Sequence, residues 1–259
     1  MTSLDTQTRD SSVTLASGVS VRVRVQGEGD PLLLLNGFSR SLESWGPFVD
    51  ALPGRTVISF DAPGTGESPA PRLPLSITLL ADVAASVLEH LGIERADVLG
   101  FSYGGAVAQQ MTVSHRDRVR RLVLVSTSCG LGTTLGPVDA IHGAALGTGV
   151  TAWPNVVGAL WSYVALTSWS SISFLGSITS PTLVVCGRDD RVAPPANSRL
   201  LAQRIPDASL VLLDGGHDLQ SVNTAPKLAS AVDRFLRSSE DDTNISNATD
   251  DVARSKEVI

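Results

Sequence analysis

Three short, glycine-marked segments hold the residues that could do chemistry: Ser102 in Gly100-Phe101-Ser102-Tyr103-Gly104, Asp189 and Asp190 in Gly187-Arg188-Asp189-Asp190-Arg191, and His217 after Gly215-Gly216. A serine hydroxyl is a poor nucleophile until a base takes its proton and a third group orients that base. Together the three residue types imply attack on a carbonyl, with Ser102 as nucleophile, His217 as base and one aspartate holding the imidazole. His217 stands out because it follows an apolar run ending at Leu213, in a glycine-flanked loop. His90 and His115 close helical patterns, and His142 lies in the stretch read below as a lid insertion. Asp189 and Asp190 both follow an apolar run ending at Cys186, where the orienting acid belongs, whereas Asp214 and Asp218 read as turn formers.

An attacked carbonyl becomes an oxyanion, which needs hydrogen-bond donors aimed at the new charge. Two backbone amides fit: that of Tyr103, directly after the nucleophile, and that of Phe38, which follows Leu32-Leu33-Leu34-Leu35-Asn36-Gly37. Ser102 is expected on a sharp strand-to-helix turn, where Gly100 and Gly104 let neighbouring chain pass without a Cβ clash. The amino end of the following helix would favour negative charge there. A serine between two glycines is a weak signal by itself, and its place between a strand and a helix gives it weight. Asn36, Phe38, Tyr103, Trp153 and Trp161 are the candidate substrate-binding residues. The segment Asp61-Ala62-Pro63-Gly64-Thr65-Gly66-Glu67-Ser68 is glycine-rich but lacks the lysine and following helix of a phosphate loop, so it reads as a buttress of the Phe38 loop. The sequence carries no metal cluster or nucleotide motif, and neither cofactor nor metal is expected.

The scaffold must bring these segments to one place. Leu32–Leu35, Thr56–Phe60, Ala96–Leu99, Arg121–Ser126, Thr182–Cys186 and Leu210–Leu213 are short apolar runs without alternation, as in strands buried on both faces of a parallel sheet. Ser12–Ala16 and the alternating Val19–Val25 read as a hairpin turning at Ser17-Gly18. Helical periodicity falls between the runs, at Leu75–Leu91, Gly104–His115, Asn197–Arg204 and Ala225–Leu236. The alternation predicts an α/β protein with a mostly parallel, doubly wound sheet, its core spanning residues 1–129 and 177–237. Residues 130–176, rich in glycine, serine and threonine but carrying Trp153, Trp161, Tyr163 and Trp169, read as a short lid insertion. Residues 238–259 hold six acids and two bases with few apolar side chains, and read as a disordered acidic tail.

Composition narrows the partners. With 42% hydrophobic and 18% charged residues, the 259-residue chain suits one well-filled domain rather than two cores. The formal charge is −6, of which the tail contributes −4, so the body is nearly neutral and has no basic stripe to follow nucleic-acid phosphates. Met1–Ser12 has no apolar run resembling a signal peptide, and no stretch reaches the roughly 20 apolar residues of a membrane span. A cytoplasmic protein is therefore expected, with Cys129 and Cys186 as buried free thiols. Oligomeric state is left open by the sequence.

With the residues placed, the chain resembles the α/β-hydrolase fold family, and more narrowly intracellular poly(3-hydroxyalkanoate) depolymerases. The likeness rests on Leu34-Leu35-Asn36-Gly37, the stretch from Ser44 to Leu52, Asp61-Ala62-Pro63-Gly64 with Ser68 to Pro74, Asp97 to Gly100 with Gly105-Ala106 and Gln109-Gln110, then Pro181 to Val184 and Arg199 to Pro206. Asn36 stands where most of the fold family carries histidine. The resemblance implies Asp190 as the orienting acid, because members with Gly-x-x-Asp after this strand use the fourth position. It also implies ester hydrolysis through an acyl-enzyme, with a small or oligomeric ester as substrate and a 3-hydroxyalkanoate polyester as the leading one. A hydrophobic polymer granule is then a further partner, which Trp153 could contact. The insertion is shorter and richer in glycine than in that group, and Tyr103 replaces its common tryptophan. Small-ester or lactone hydrolysis, a biosynthetic relative, a ligand receptor of the same fold and a cofactor-free perhydrolase are the competing readings.

Overall fold

The computed structural model describes residues 8–131, 133–134 and 156–237, and the side chains of residues 156–159 are left aside. Eight strands form one sheet in the order β1-β2-β4-β3-β5-β6-β7-β8. They are β1 (Arg9–Thr14), β2 (Ser20–Gln26), β3 (Asp30–Leu35), β4 (Arg55–Phe60), β5 (Ala96–Phe101), β6 (Val119–Val125), β7 (Thr182–Gly187) and β8 (Ala208–Leu213). Only β2 runs against its neighbours, pairing antiparallel with β1 and β4. The remaining pairings are parallel, giving the mostly parallel mixed sheet expected from the sequence.

The unbroken apolar runs have a direct cause. Alternate residues of each strand point to opposite faces, and helices cover both. Leu32, Leu34, Leu99, Val123 and Val185 pack on one side, against α1 (Gly46–Asp50) and the last of the described helices. Leu33, Leu35, Val98, Leu122 and Val184 pack on the other, against α2 (Ile77–His90), α3 (Tyr103–Ser114) and α5 (Pro195–Arg204). The last helix, α6 (Ala225–Arg237), buries Leu228, Val232 and Leu236 at helical spacing. Ser76 caps α2 by accepting from Leu79 N at 3.2 Å.

Helix α4 (Val156–Thr167) lies within residues 130–176, the stretch read as a lid insertion without a helical pattern. Its sequence has no charged residue and no polar face, so periodicity gave no sign of it. Leu160 and Tyr163 are exposed while Ala165 is buried. An isolated bridge between Gly130 and Ser170 joins the two ends of the stretch, and Trp169 Nε1 donates to Gln110 Oε1 of α3 at 3.0 Å. Cys129 and Cys186 are buried, unpaired thiols. Trp153, His142 and the acidic tail lie outside the described residues.

Parallel pairing collects the carboxyl ends of β3 to β8 along one edge of the sheet. Strand order reverses between β3 and β5, whose following loops hold Phe38 and Ser102, so these two segments diverge at the point where such sheets leave a crevice.

Candidate active site

Ser102 connects β5 directly to α3 with φ 52° and ψ −113°, a left-handed backbone that non-glycine residues adopt at a cost of about 1–3 kcal/mol. Three hydrogen bonds hold it there: Ser102 N to Val125 O at 2.8 Å, Thr127 Oγ1 to Ser102 O at 2.7 Å, and Gly105 N to Ser102 O at 2.9 Å. The flanking glycines are sterically required. A Cβ on Gly100 would strike the Gly104 backbone, and one on Gly104 would strike the carbonyls of Leu35 and Asn36. The turn lifts the hydroxyl clear of the sheet edge and leaves Tyr103 N, first in its helix, without an intrahelical acceptor.

His217 and Asp190 come from the loops after β8 and β7. Their side chains meet with His217 Nδ1 at 2.9 Å from Asp190 Oδ2, and His217 Nε2 lies 3.1 Å from Ser102 Oγ. The Asp190 carboxylate is fully buried, and its Oδ1 accepts from Val192 N at 2.9 Å and Ala193 N at 2.8 Å. Backbone contacts set the two loops against each other, with Arg188 N donating to Leu213 O at 2.8 Å and Asp189 N to Gly215 O at 3.0 Å. Gly187 sits so close to the Gly215 and Gly216 carbonyls that no side chain would fit. The sequence left two aspartates open by position; in the structure Asp190 faces the imidazole and Asp189 is exposed. His90 is exposed at the end of α2, and His115 pairs with Asp82 at 2.7 Å, both away from Ser102.

The loop after β3 is braced from several sides. Asn36 Nδ2 donates to Ser41 O at 2.6 Å and Ser44 Oγ at 2.8 Å, while its Oδ1 accepts from Gly37 N and Gln220 Nε2. Both ends of this amide are thus engaged by protein, and Asn36 acts on the shape of the loop. The buried Asp61 carboxylate accepts from Leu42 N at 2.8 Å and Glu67 N at 2.9 Å, joining the glycine-rich 61–68 segment to the same loop. Burial pushes the Asp61 carboxyl above the usual carboxylate range, against the pull of those two amides. Phe38 is half-buried and meets Tyr103 edge to face, with centroids 6.2 Å apart.

The Tyr103 phenol lies buried beside Ser162 of α4, and burial raises its pKa, so it stays a neutral hydroxyl. A small recess with largely apolar walls is lined by Leu35, Asn36, Phe60, Leu80, Tyr103 and Val107 among others; neither Ser102 nor His217 borders it. Trp161 is half-buried and donates from Nε1 to Pro71 O at 3.3 Å, linking α4 to the segment before α2. Burial pushes the Cys186 thiol up to about 11 and raises that of Cys129, so neither offers a thiolate near neutral pH. Among the described residues no group of three or more histidines, cysteines or acids is placed to hold a metal ion. No described helix is long and apolar enough to cross a membrane.

Fold and site together define a class, and the chain belongs to the α/β-hydrolase fold family: the model described as alpha/beta hydrolase fold matches residues 30–146 and 151–224. Among individual relatives, a poly(3-hydroxyalkanoate) depolymerase of Ectopseudomonas oleovorans is 35% identical over 239 residues, covering 80% of this chain and 84% of that protein. A hydrolase of Pseudomonas aeruginosa PA01 superposes with a TM-score of 0.79 at 27% identity, over 88% of this chain and 98% of its own. The enol-lactonase of Burkholderia xenovorans LB400 does so with a TM-score of 0.77 at 25% identity, over 87% and 99%.

Sequence reasoning missed Arg40, Asp218 and Gln220 as parts of the site. Arg40 Nη1 donates to Asp218 Oδ1 at 2.9 Å and to Gln220 Oε1 at 2.7 Å, across 178 and 180 residues of chain. Local patterns carry no signal for pairs so far apart.

Proposed function

We propose that the protein is a serine hydrolase of carboxylic esters, acting through Ser102, His217 and Asp190. The observation that carries this reading is the relay of contacts from Ser102 Oγ to His217 Nε2 at 3.1 Å, and from His217 Nδ1 to Asp190 at 2.9 Å. In the first half-reaction His217 takes the serine proton as Oγ bonds to the ester carbonyl carbon, and the carbonyl π electrons move onto oxygen. The amides of Phe38 and Tyr103 receive that charge. One such donor is worth about 3–4 kcal/mol of transition-state stabilisation. Collapse re-forms the carbonyl and breaks the ester C–O bond, and His217 returns its proton to the departing alcohol. Water, deprotonated by His217, then attacks the acyl-enzyme and releases the acid with Ser102 restored. Asp190, held by two backbone amides and the imidazole, keeps the histidine in the required tautomer.

The favoured substrate is a 3-hydroxyalkanoate polyester or its oligomers, supported by the depolymerase relative. Residues 130–176 are assigned the role of a cover over the site, supported by the contact of Trp161 with Pro71 and the placing of Ser162 beside Tyr103. Short-ester or lactone hydrolysis is the second reading, favoured by the likeness to the enol-lactonase. Mass spectrometry of products from a mixture of 3-hydroxyalkanoate oligoesters and simple acyl esters, with Ser102→Ala alongside, tests both. Serine-dependent release of 3-hydroxy acids is expected. Cleavage of the simple esters alone would discard the polyester and keep the mechanism, and equal turnover by Ser102→Ala would discard the mechanism.

A further inference from the structure

We propose that Arg40 is a positioning residue, which fixes the amide of Phe38 relative to the imidazole of His217; the assignment rests on the serine-hydrolase reading above. Phe38 and His217 lie on loops far apart in sequence, and catalysis through them requires their separation to be held within a fraction of an ångström. Asp190 orients the imidazole within its own side of the site but touches nothing in the Phe38 loop. Arg40 touches both loops.

The geometry is that of a closed clamp. Residues 37–40 form a tight turn, with Arg40 N donating to Gly37 O at 3.2 Å and Ser39 at φ 54°. Phe38 lies inside this turn, and both flanks of the turn are pinned to one side chain. At one flank Gln220 Nε2 donates to Asn36 Oδ1 at 3.2 Å, and at the other Arg40 Nη1 donates to Gln220 Oε1 at 2.7 Å. The same Nη1 donates to Asp218 Oδ1 at 2.9 Å, directly after His217 in the chain. A second route runs through an aromatic ring: the guanidinium carbon lies 5.0 Å from the Phe101 centroid, and the same ring meets His217 with centroids 5.2 Å apart.

An ordinary surface ion pair would not do this. Exposed pairs hold their partners loosely and contribute little; here Asp218 is open to solvent at 36%, but Arg40 is only 8% exposed and its amide acceptor Gln220 is buried. The charged and polar acceptors of its hydrogen-bonded nitrogen both come from the histidine loop, so the guanidinium carries the spacing of the two loops.

Steady-state hydrolysis by Arg40→Met, Arg40→Lys and wild-type protein tests the assignment, with Ser102 counted by stoichiometric labelling with a fluorophosphonate. The expected result is a roughly tenfold to hundredfold loss of kcat per labelled serine in Arg40→Met, with KM within about threefold. Arg40→Lys, which keeps a cation and donors, recovers most of that loss. A loss matched by missing labelled serine would assign Arg40 to folding alone and overturn the proposal. An unchanged kcat, or a change confined to KM, would overturn it too. If Arg40→Met does not fold, Gln220→Leu removes the two contacts that run through the Gln220 amide while leaving the Arg40–Asp218 pair, and must show a smaller fall in kcat at constant KM; an unchanged kcat there overturns the proposal. Ser102→Ala separates the two levels of the argument: hydrolysis that survives it sinks the serine mechanism and the clamp with it, whereas serine-dependent hydrolysis indifferent to Arg40 sinks the clamp alone.

Discussion

Asp97 and Asp190 are both carboxylates with no exposed side-chain surface, at opposite ends of the same sheet. Asp97, near the start of β5, is gripped by two guanidiniums: Arg120 bonds both its oxygens at 2.8 Å and Arg55 adds a third contact at 3.2 Å. Asp190, beyond the end of β7, faces an imidazole and two backbone amides. Guanidinium cannot release its proton in a protein, so the Asp97 cluster is a fixed charge arrangement that ties strands together. Imidazole exchanges its proton near neutrality, so the same kind of buried acid next to it can direct a reaction. Burial of a carboxylate therefore marks no function; the chemistry of its partner does.

Substitutions should separate the two. Asp190→Asn is expected to lower kcat by about 10⁴-fold, because the amide would hold the imidazole in the wrong tautomer, while thermal unfolding shifts far less. Equal losses of activity and folded protein would erase the distinction. Asp97→Asn should do the reverse, destabilising by about 3 kcal/mol in a denaturant titration by leaving the nearly buried Arg55 only the exposed Asp30 carboxylate at 3.7 Å, with turnover per folded molecule unchanged.

The smallest effect belongs to Asp10, exposed on the edge strand, where the hydrogen bond from Arg24 draws its carboxyl down to about 2. A depressed acid stabilises the folded state above its unfolded pKa near 3.8, and loses that contribution as pH falls towards 2. Asp10→Asn should therefore cost under about 1 kcal/mol at neutral pH and nothing below pH 2, by unfolding measured across that range.

The sequence made the sheet legible because strands covered by helices leave unbroken apolar runs, six of which were found at Leu32–Leu35 and its counterparts, while the other two strands showed as a hairpin through alternation and a Ser17-Gly18 turn. Helix limits moved by a residue or two; Gly104–His115 became Tyr103–Ser114. Helix α4 was hidden because a segment apolar on every side has no period to read. At the site, Ser102 and His217 stood out because the glycines around them answer to steric needs of single turns. Asp189 and Asp190 could not be separated by residue pattern, since neighbours in a turn differ only in which way the turn faces. The Asn36 amide was read as a substrate group, yet four protein partners engage it. Those partners, like Arg40, depend on contacts that exist only after folding.

The bridge between Gly130 and Ser170 brings the two ends of the intervening segment side by side at the rim of the sheet. A detour that leaves and returns at one junction is uncoupled from the length of what lies between, since doubling a flexible loop adds only about 0.6 kcal/mol of closure entropy. The chain leaving β6 and the chain leading to β7 are thus held together at that junction, and strand register does not depend on the length of chain that joins Gly130 to Ser170.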